Sequence, residues 1–158
     1  MRIVRGDASR IDDVGPLFKA MHEHHRAVGP DVLPYRSGEE AWERRRPYYA
    51  TLHESGRGTL LLAEEDGRAI GYAMVALRGG QATLVTGERV AELETLSVAG
   101  AERGRGVGRA LMDAAYAVMR ELGATEVMLY VLEGNDGAMR FYERYGLQPY
   151  LHVLLGRV

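Results

Sequence analysis

Residues 90–108 read VAELETLSVAGAERGRGVG, an apolar strand pattern followed at once by a loop rich in glycine and arginine. Apolar side chains then recur at helical spacing as far as Leu122, and Gly123 suits the end of that helix. Residues 126–132 are apolar again and predict a second strand. A strand, a crossover helix and a strand form a parallel pair with a right-handed connection. This unit decides the fold.

Shorter strand patterns on both sides of this unit are joined by turns and predict antiparallel neighbours. Strands are predicted at residues 2–5, 58–64, 69–77, 82–86 and 149–155. Helices are predicted from Asp7 or Ser9 to about residue 27, over 39–54 with a break or kink at Pro47, and over 135–145. The expected fold is α/β (α+β), one domain over 1–158. It is a mixed, mostly antiparallel sheet with a central splayed parallel strand pair and helices on both faces.

Composition excludes several classes of function. The chain has 158 residues and a formal net charge of −2, which argues against broad nucleic-acid binding. The absence of cysteine excludes disulfides, thiolate zinc sites and a cysteine nucleophile. No apolar run is long enough to cross a bilayer and no signal-peptide pattern is present, so a cytoplasmic protein that binds no membrane is expected. The group His22-Glu23-His24-His25 lacks the spacing of a zinc motif, so no metal is expected.

The loop Arg103–Gly108 has the features of a diphosphate site. Its glycines let backbone N–H groups approach an anion, and the start of the following helix adds positive potential. The side chains of Arg103, Arg105 and Arg109 add charged donors. The dinucleotide fingerprint fails because its third small residue is missing, and a Walker loop fails because Lys19 is the only lysine in the chain.

The strand before the loop carries a second signal. Leu93 and Leu96 are three residues apart, although a regular strand places every second side chain on one face. They share a face only if a β-bulge lies near Glu94 and Thr95, and such a bulge would turn the strand away from its parallel neighbour. The alternative is that both faces of the strand are buried, in which case the spacing carries no information.

These residues resemble the GNAT family, the Gcn5-related N-acetyltransferases. The family motif is Arg or Gln, two residues, Gly, one residue, and Gly or Ala, and Arg103, Gly106 and Gly108 match it. Residues 92–98 before the loop and 135–147 after it are also similar to the family. The resemblance implies an acetyl-CoA-dependent N-acetyltransferase acting on a primary amine of an unidentified small-molecule or peptide acceptor, and it suggests a homodimer. A non-catalytic acyl-CoA-binding or sensing module is the alternative.

The resemblance also implies roles for particular residues. The implied contacts of coenzyme A are Leu96, Ser97, Val98, Arg103, Gly104, Arg105, Gly106, Val107, Gly108, Arg109, Asn135, Ala138, Phe141 and Tyr142. It implies Glu92 as the general base, with Glu94 as the alternative, or else carboxylates that only orient the substrate. A backbone N–H near Val98 would meet the oxyanion, and Tyr142 would be the acid for the departing thiolate.

The helices before residue 54 are expected to wall the acceptor pocket, as they do in the family. The residues expected there are His24, His25, Tyr35, Trp42, Tyr48 and Tyr49. Arg44, Arg45 and Arg46 follow three glutamates on the second predicted helix. We interpret them as a solvated face with local salt bridges, and recognition of an acidic substrate is the alternative.

Overall fold

The computed structural model describes residues 1–158 and contains a five-stranded sheet with four α-helices. The strands are β1 (Arg2–Gly6), β2 (Gly58–Glu65), β3 (Arg68–Gly79), β4 (Arg89–Val98) and β5 (Glu126–Met128). The helices are α1 (Gly15–Val28), α2 (Gly38–Glu54), α3 (Val107–Glu121) and α4 (Asp136–Glu143). Short 3-10 segments lie at Ala8–Val14 and Gly100–Glu102.

The strands lie in the order β1-β2-β3-β4-β5, and only the β4–β5 pair is parallel. The three other pairs are antiparallel, which confirms the predicted mixed sheet. The β2–β3 turn has positive φ at both Asp66 (50°) and Gly67 (76°). A tight two-residue hairpin turn requires that conformation, and an Asp-Gly pair supplies it at low cost.

Helices cover both faces of the sheet, as predicted. On one face, α3 buries Leu111, Met112 and Ala115 in a core that also contains residues of β2, β3 and β4. On the other face, α1 and α2 bury Phe18 and Trp42 in a second core. The crossover from β4 through α3 to β5 therefore lies on one side, and the helices that precede β2 lie on the other.

A β-bulge interrupts β4 at the position that the leucine spacing indicated. Met74 pairs with Thr95 while Val75 pairs with Leu93, so Glu94 is an extra residue on β4. Leu93 lies in the core under α3, and Leu96 packs against the same core. Parallel pairing with β5 ends at Glu92, opposite Met128. Because β4 turns at the bulge, the two parallel strands separate beyond this point.

Several predicted elements differ from the structure. The strand predicted over 126–132 is paired only over Glu126–Met128, because β4 departs at the bulge. The strands predicted at 82–86 and 149–155 are absent, and Val85 and Leu154 are exposed to solvent. Apolar residues indicate strand propensity, but they do not say whether a partner strand lies within reach.

The first predicted helix is divided in the structure, and the second does not break at Pro47. Asp7 does cap the first one, but its first turns form a 3-10 segment, and α1 begins only at Gly15. Helix α2 runs through Pro47 without ending. The carbonyl that loses its hydrogen-bond donor there belongs to Glu43, which is exposed and can bond to water instead. No helix combines the length and the apolar character needed to span a membrane.

Candidate active site

Three predicted site residues, Val98, Gly108 and Phe141, lie close together where β4 separates from β5. A Cβ placed on Gly108, in the first turn of α3, would lie 3.7 Å from Val98 Cγ2 and 3.8 Å from the ring of Phe141. The end of β4, the start of α3 and the middle of α4 therefore meet at one place. Glycine at position 108 keeps this meeting point open to a ligand, because any side chain would extend into it.

The loop before α3 presents a row of unpaired donors. None of the backbone N–H groups from Gly104 to Arg109 donates a hydrogen bond to another protein group. Gly104 and Gly106 have φ of 79° and 83°, a left-handed conformation that glycine adopts without strain. Consecutive N–H groups at a helix start form a concave site for an anion, so the predicted diphosphate loop has suitable geometry.

The three arginines of the loop differ in their surroundings. Arg105 donates to both carboxylate oxygens of Glu65 across 3.1 Å and also bonds to Glu102. Arg103 and Arg109 form no salt bridge and are exposed. Of the predicted charged donors, these two are free to bind an anion, while Arg105 fastens the loop to the end of β2.

Helix α4 carries the remaining predicted contacts of coenzyme A. Asn135 caps this helix through its side-chain oxygen, which accepts a hydrogen bond from Ala138 N at 3.3 Å. Its side-chain amide group donates no hydrogen bond within the protein and remains available to a ligand. Ala138 and Phe141 are half-buried, and Phe141 packs against the core that contains α3.

Tyr142 lies next on α4, with a hydroxyl that forms no hydrogen bond in the protein and is not sealed from solvent. Burial raises the pKa of Tyr142 to about 12. The hydroxyl is therefore protonated at every pH near neutrality. The Tyr142 hydroxyl is therefore a hydrogen-bond donor without a protein partner, on the helix α4 that borders the opening.

The two predicted bases lie on the opposite side of the sheet, facing α2. The side chain of Glu92 is 10% exposed and that of Glu94 is 8% exposed. Arg78 donates to Glu92 Oε2 at 2.6 Å and also to Glu94. Arg45 donates to Glu94 at 3.2 Å, and the hydroxyl of Tyr48 donates to the same carboxylate. Two guanidinium groups thus balance two carboxylates.

The partners leave the two carboxylates in different states. Both oxygens of Glu94 accept hydrogen bonds, whereas Glu92 Oε1 has no protein partner and is not sealed from solvent. Burial and the bond to Glu94 raise the pKa of Tyr48, against the opposing effect of Arg78. The hydrogen bond to Glu92, and after it the contact with Tyr48, stabilise the protonated guanidinium of Arg78 and raise its pKa. Glu92 therefore keeps an oxygen for a ligand, while Glu94 does not.

Five of the six residues predicted for the acceptor pocket fall into two groups, and the sixth, Tyr48, lies beside Glu94. Trp42 and Tyr49 lie in the core, 8% and 0% exposed, and Tyr49 Oη is 2.6 Å from Thr95 Oγ1. Their place is behind the site and not on its surface. His24, His25 and Tyr35 are half-buried around the end of α1.

The end of α1 lies close to the chain that follows β5. A Cβ on Gly29 would lie 2.3 Å from Tyr35 Oη and 2.6 Å from Leu132 Cδ2. Tyr35 therefore lies near the segment that follows β5. Burial and the two nearby imidazoles lower the pKa of His25, so this ring is neutral at pH 7.

The structure contains a pocket of about 440 Å³ between α1 and α2, and Tyr48 is the one residue of its lining that is also predicted for the acceptor pocket. It is lined by Phe18, His22, Arg36, Ala41, Arg44, Arg45 and Tyr48. The four residues from α2 have the spacing i, i+3, i+4 and i+7, which places them on one helix face. This spacing is the feature of the sequence that could have indicated the pocket. The sequence favours local salt bridges for the arginine run, with recognition of an acidic substrate as the alternative, and only Arg45 and Arg46 are paired, with Glu94 and Asp12.

Comparisons with known proteins agree with this geometry. The sequence model of the acetyltransferase (GNAT) family matches residues 19–147. A mycothiol acetyltransferase of Propionibacterium freudenreichii subsp. shermanii is 35% identical over 152 residues, which cover 90% of this chain and 42% of that protein. The chain therefore spans less than half of the length of this relative.

Two solved structures share the fold over nearly the whole chain. A GCN5-related N-acetyltransferase from Ralstonia eutropha has a TM-score of 0.79 at 20% identity, covering 99% of this chain and 97% of that chain. The enzyme AAC(6')-Iy, in complex with the bisubstrate analogue CoA-S-monomethyl-acetylneamine, has a TM-score of 0.74 at 20% identity over the same shares. At these identities the likeness concerns the fold.

Proposed function

This chain belongs to the GNAT acetyltransferase family, and from that premise we propose that it transfers the acetyl group of acetyl-CoA to a primary amine. The observation that carries the proposal is the row of unpaired N–H groups from Gly104 to Arg109, beside an opening between two parallel strands. The bound bisubstrate analogue of AAC(6')-Iy, a protein of the same fold, supports it. The homodimer, the cytoplasmic location and the single domain over 1–158 stay predictions.

The residues around the opening fit coenzyme A. The N–H groups of the loop, together with Arg103 and Arg109, would hold the diphosphate. The edge of β4 from Leu96 to Val98 has no strand beside it on the β5 side, so its backbone can bond to the amide groups of the pantetheine arm as a neighbouring strand would. When bound, acetyl-CoA supplies a thioester that reacts with amines.

A backbone N–H and a hydroxyl of this chain would assist the transfer. The N–H of Val98 lies at the end of β4, where it can donate to the oxyanion that develops during attack. Tyr142 can donate to the departing thiolate. With a pKa of about 12 for Tyr142 and one near 8.5 for a thiol, complete proton transfer would cost about 5 kcal/mol. We therefore assign Tyr142 a hydrogen bond to the thiolate and not a full proton transfer.

Glu92 is the proposed general base. An alkylammonium loses its proton at pH 7 at a cost of about 4.6 kcal/mol, so a proton acceptor is needed close to the amine. Glu92 has an oxygen without a protein partner, whereas Glu94 is held by Arg45, Arg78 and Tyr48. We assign Glu94 the task of fixing these three side chains, which form the boundary between the sheet and the pocket.

An amine panel tests the proposal. The purified protein is mixed with acetyl-CoA and with amines that differ in size and charge, and the release of free thiol is followed. Thiol release that depends on both enzyme and amine is expected, with an acetylated amine in the mass spectrum. The Gly106→Asp variant is the control, since it places a negative charge in the loop.

The alternative, a non-catalytic acyl-CoA-binding module, predicts a different result. Calorimetry would then detect acetyl-CoA binding that depends on Gly106, but no amine would release thiol. Absence of acetyl-CoA binding would remove both readings at once.

A further inference from the structure

The pocket between α1 and α2 has a strong excess of positive charge. Its lining includes Arg36, Arg44 and Arg45 and no carboxylate. Arg45 is neutralised by Glu94, but Arg36 and Arg44 form no salt bridge. Two guanidinium groups that line one pocket and have no carboxylate partner attract an anion. Their planar donors fit carboxylate or phosphate oxygens.

A neighbouring carboxylate, that of Glu40, does not neutralise Arg36 and Arg44. Glu40 lies close enough to Arg36 and Arg44 for both to act on its charge, but its carboxylate accepts hydrogen bonds from the backbone and side chain of Ser37. This arrangement is a capping box that starts α2. The carboxylate is therefore directed to the helix start, and the two arginines keep their donors.

Two aromatic side chains form part of the pocket wall. The guanidinium carbon of Arg45 lies 5.8 Å from the ring centre of Phe18 and 5.5 Å from that of Tyr48. Both aromatic rings line the pocket, and Arg45 and Tyr48 also bond to Glu94 on β4. Arg45 and Tyr48 thus lie between the pocket and the carboxylate cluster that contains the proposed base. Arg36 and Arg44 are exposed and Phe18 is buried, so the unpaired charge is at the outer end of the pocket and aromatic surface is at its inner end.

We propose that this pocket binds the acceptor and that the acceptor amine carries an anionic group, a carboxylate or a phosphate. This inference rests on the proposed acetyl transfer. The anion lies between Arg36 and Arg44, the body of the acceptor packs on Phe18 and Tyr48, and the amine is directed to the Glu92 side of the cluster. Amines that carry several positive charges are disfavoured, because the free arginines repel them.

Matched acceptor pairs test the proposal. Each pair keeps the amine and removes the anion: L-phenylalanine with 2-phenylethylamine for a carboxylate, and O-phosphoethanolamine with ethanolamine for a phosphate. We expect kcat/KM to favour the anionic member of at least one pair by about tenfold or more, as for charge-assisted contacts. The pair with the larger ratio tells which anion the site takes.

Variants separate the pocket from the basicity of the amines. In the Arg36→Ala/Arg44→Ala double variant, KM of the anionic acceptor should rise and that of its uncharged partner should stay unchanged. The Arg36→Ala/Arg44→Lys variant should keep part of the preference for the anionic acceptor that the double alanine variant loses. Arg46→Ala is the matched control, since Arg46 lies on the same helix but pairs with Asp12 outside the pocket.

The possible outcomes are distinct. Acetyl transfer with no preference for the anionic member, or with a preference that survives the double variant, overturns this inference while the proposed function stands. If no amine is acetylated, the proposed function fails, and calorimetry of L-phenylalanine and O-phosphoethanolamine on the protein with coenzyme A decides the rest. Binding that the double variant loses supports an anion site, and absence of binding overturns it.

Discussion

Arg78 Nε donates a hydrogen bond to Glu92 Oε2 across 2.6 Å, which joins β3 to β4 at the centre of the candidate site. The same guanidinium bonds to Glu94, so one cation holds two nearly buried carboxylates side by side. Two carboxylates that are nearly buried side by side repel each other, and a cation between them compensates this repulsion. Arg78 is therefore the residue on which the carboxylate cluster depends.

Removal of Arg78 should destabilise the protein. In Arg78→Met the two carboxylates lose their shared cation, and we expect the free energy of unfolding to fall by about 2 kcal/mol, below the full cost for a buried pair because Arg78 is partly exposed. Urea unfolding at pH 7 measures this. Arg78→Met/Glu92→Gln should recover part of this loss, since it removes one of the two carboxylates that repel each other. Equal losses for the single and double variants would contradict the account.

Glu92 and Glu94 should differ in what their loss does. Glu92→Gln removes the proposed base and should lower kcat about 100-fold, with little change in the Kd of acetyl-CoA. Glu94→Gln leaves Glu92 in place but weakens the bonds to Arg45, Arg78 and Tyr48, so it should lower the free energy of unfolding more than Glu92→Gln does. Steady-state kinetics and urea unfolding on both variants provide the comparison. The reverse order in kcat would make Glu94 the base.

Tyr142 should matter for turnover and, at high pH, for stability. Tyr142→Phe should lower kcat by about 10- to 100-fold while the Kd of acetyl-CoA changes little, because only a hydrogen bond to the leaving group is lost. Steady-state kinetics and calorimetry give the two numbers. A fall in affinity equal to the fall in kcat would make Tyr142 a residue of the binding surface alone.

The raised pKa of Tyr142 also gives a sign for the pH dependence of stability. The Tyr142 hydroxyl has a pKa of about 12 in the folded state and near 10 in the unfolded state. The folded state therefore stays protonated to a higher pH, and stability falls as pH rises from about 10 to 12. At pH 11 this loss amounts to about 1.4 kcal/mol. Denaturant unfolding between pH 8 and 11 should show a flatter curve for Tyr142→Phe than for the wild type. Parallel curves would contradict the assignment.

The centre of the fold could be predicted because its signals are local. The spacing of Leu93 and Leu96 indicates the bulge, and the glycines before α3 indicate the turn. Neither signal depends on the rest of the chain. The failures share a different cause. Whether residues 149–155 form a strand depends on a partner strand in space, and sequence alternation does not report it.

The same reasoning explains the errors in the acceptor pocket. Trp42 and Tyr49 were aromatic residues on a helix expected to wall the pocket, but which helix face looks inward is decided by packing on the sheet. Arg45 reaches Glu94, 49 residues away in sequence, and only the bulge in β4 brings that carboxylate to α2. Pairings at such separations follow from the fold and not from a local pattern.

Gly106 tests the diphosphate loop through charge and not through size. A Cβ at Gly106 would meet no atom within 4 Å, so a larger side chain fits, at the cost of a positive φ. Gly106→Asn and Gly106→Asp share that cost, but only aspartate adds a negative charge. At about 5 Å and an effective dielectric constant of about 20, repulsion from one phosphate charge is about 3 kcal/mol, or roughly a hundredfold in Kd. Calorimetry with acetyl-CoA measures it, and equal Kd values for the two variants would exclude the loop from the site.

The loop arginines should contribute unequally to cofactor affinity. Arg103 has no protein partner, so Arg103→Gln should weaken acetyl-CoA binding by about fivefold, the effect of one exposed charged contact near 1 kcal/mol. Arg105 is already bonded to Glu65 and Glu102, and a phosphate would have to compete with two carboxylates for its guanidinium. Arg105→Gln should therefore change Kd less than Arg103→Gln does, and the difference should shrink in high salt because exposed charges are screened. A larger loss for Arg105→Gln would mean that the guanidinium leaves its carboxylates when the cofactor binds.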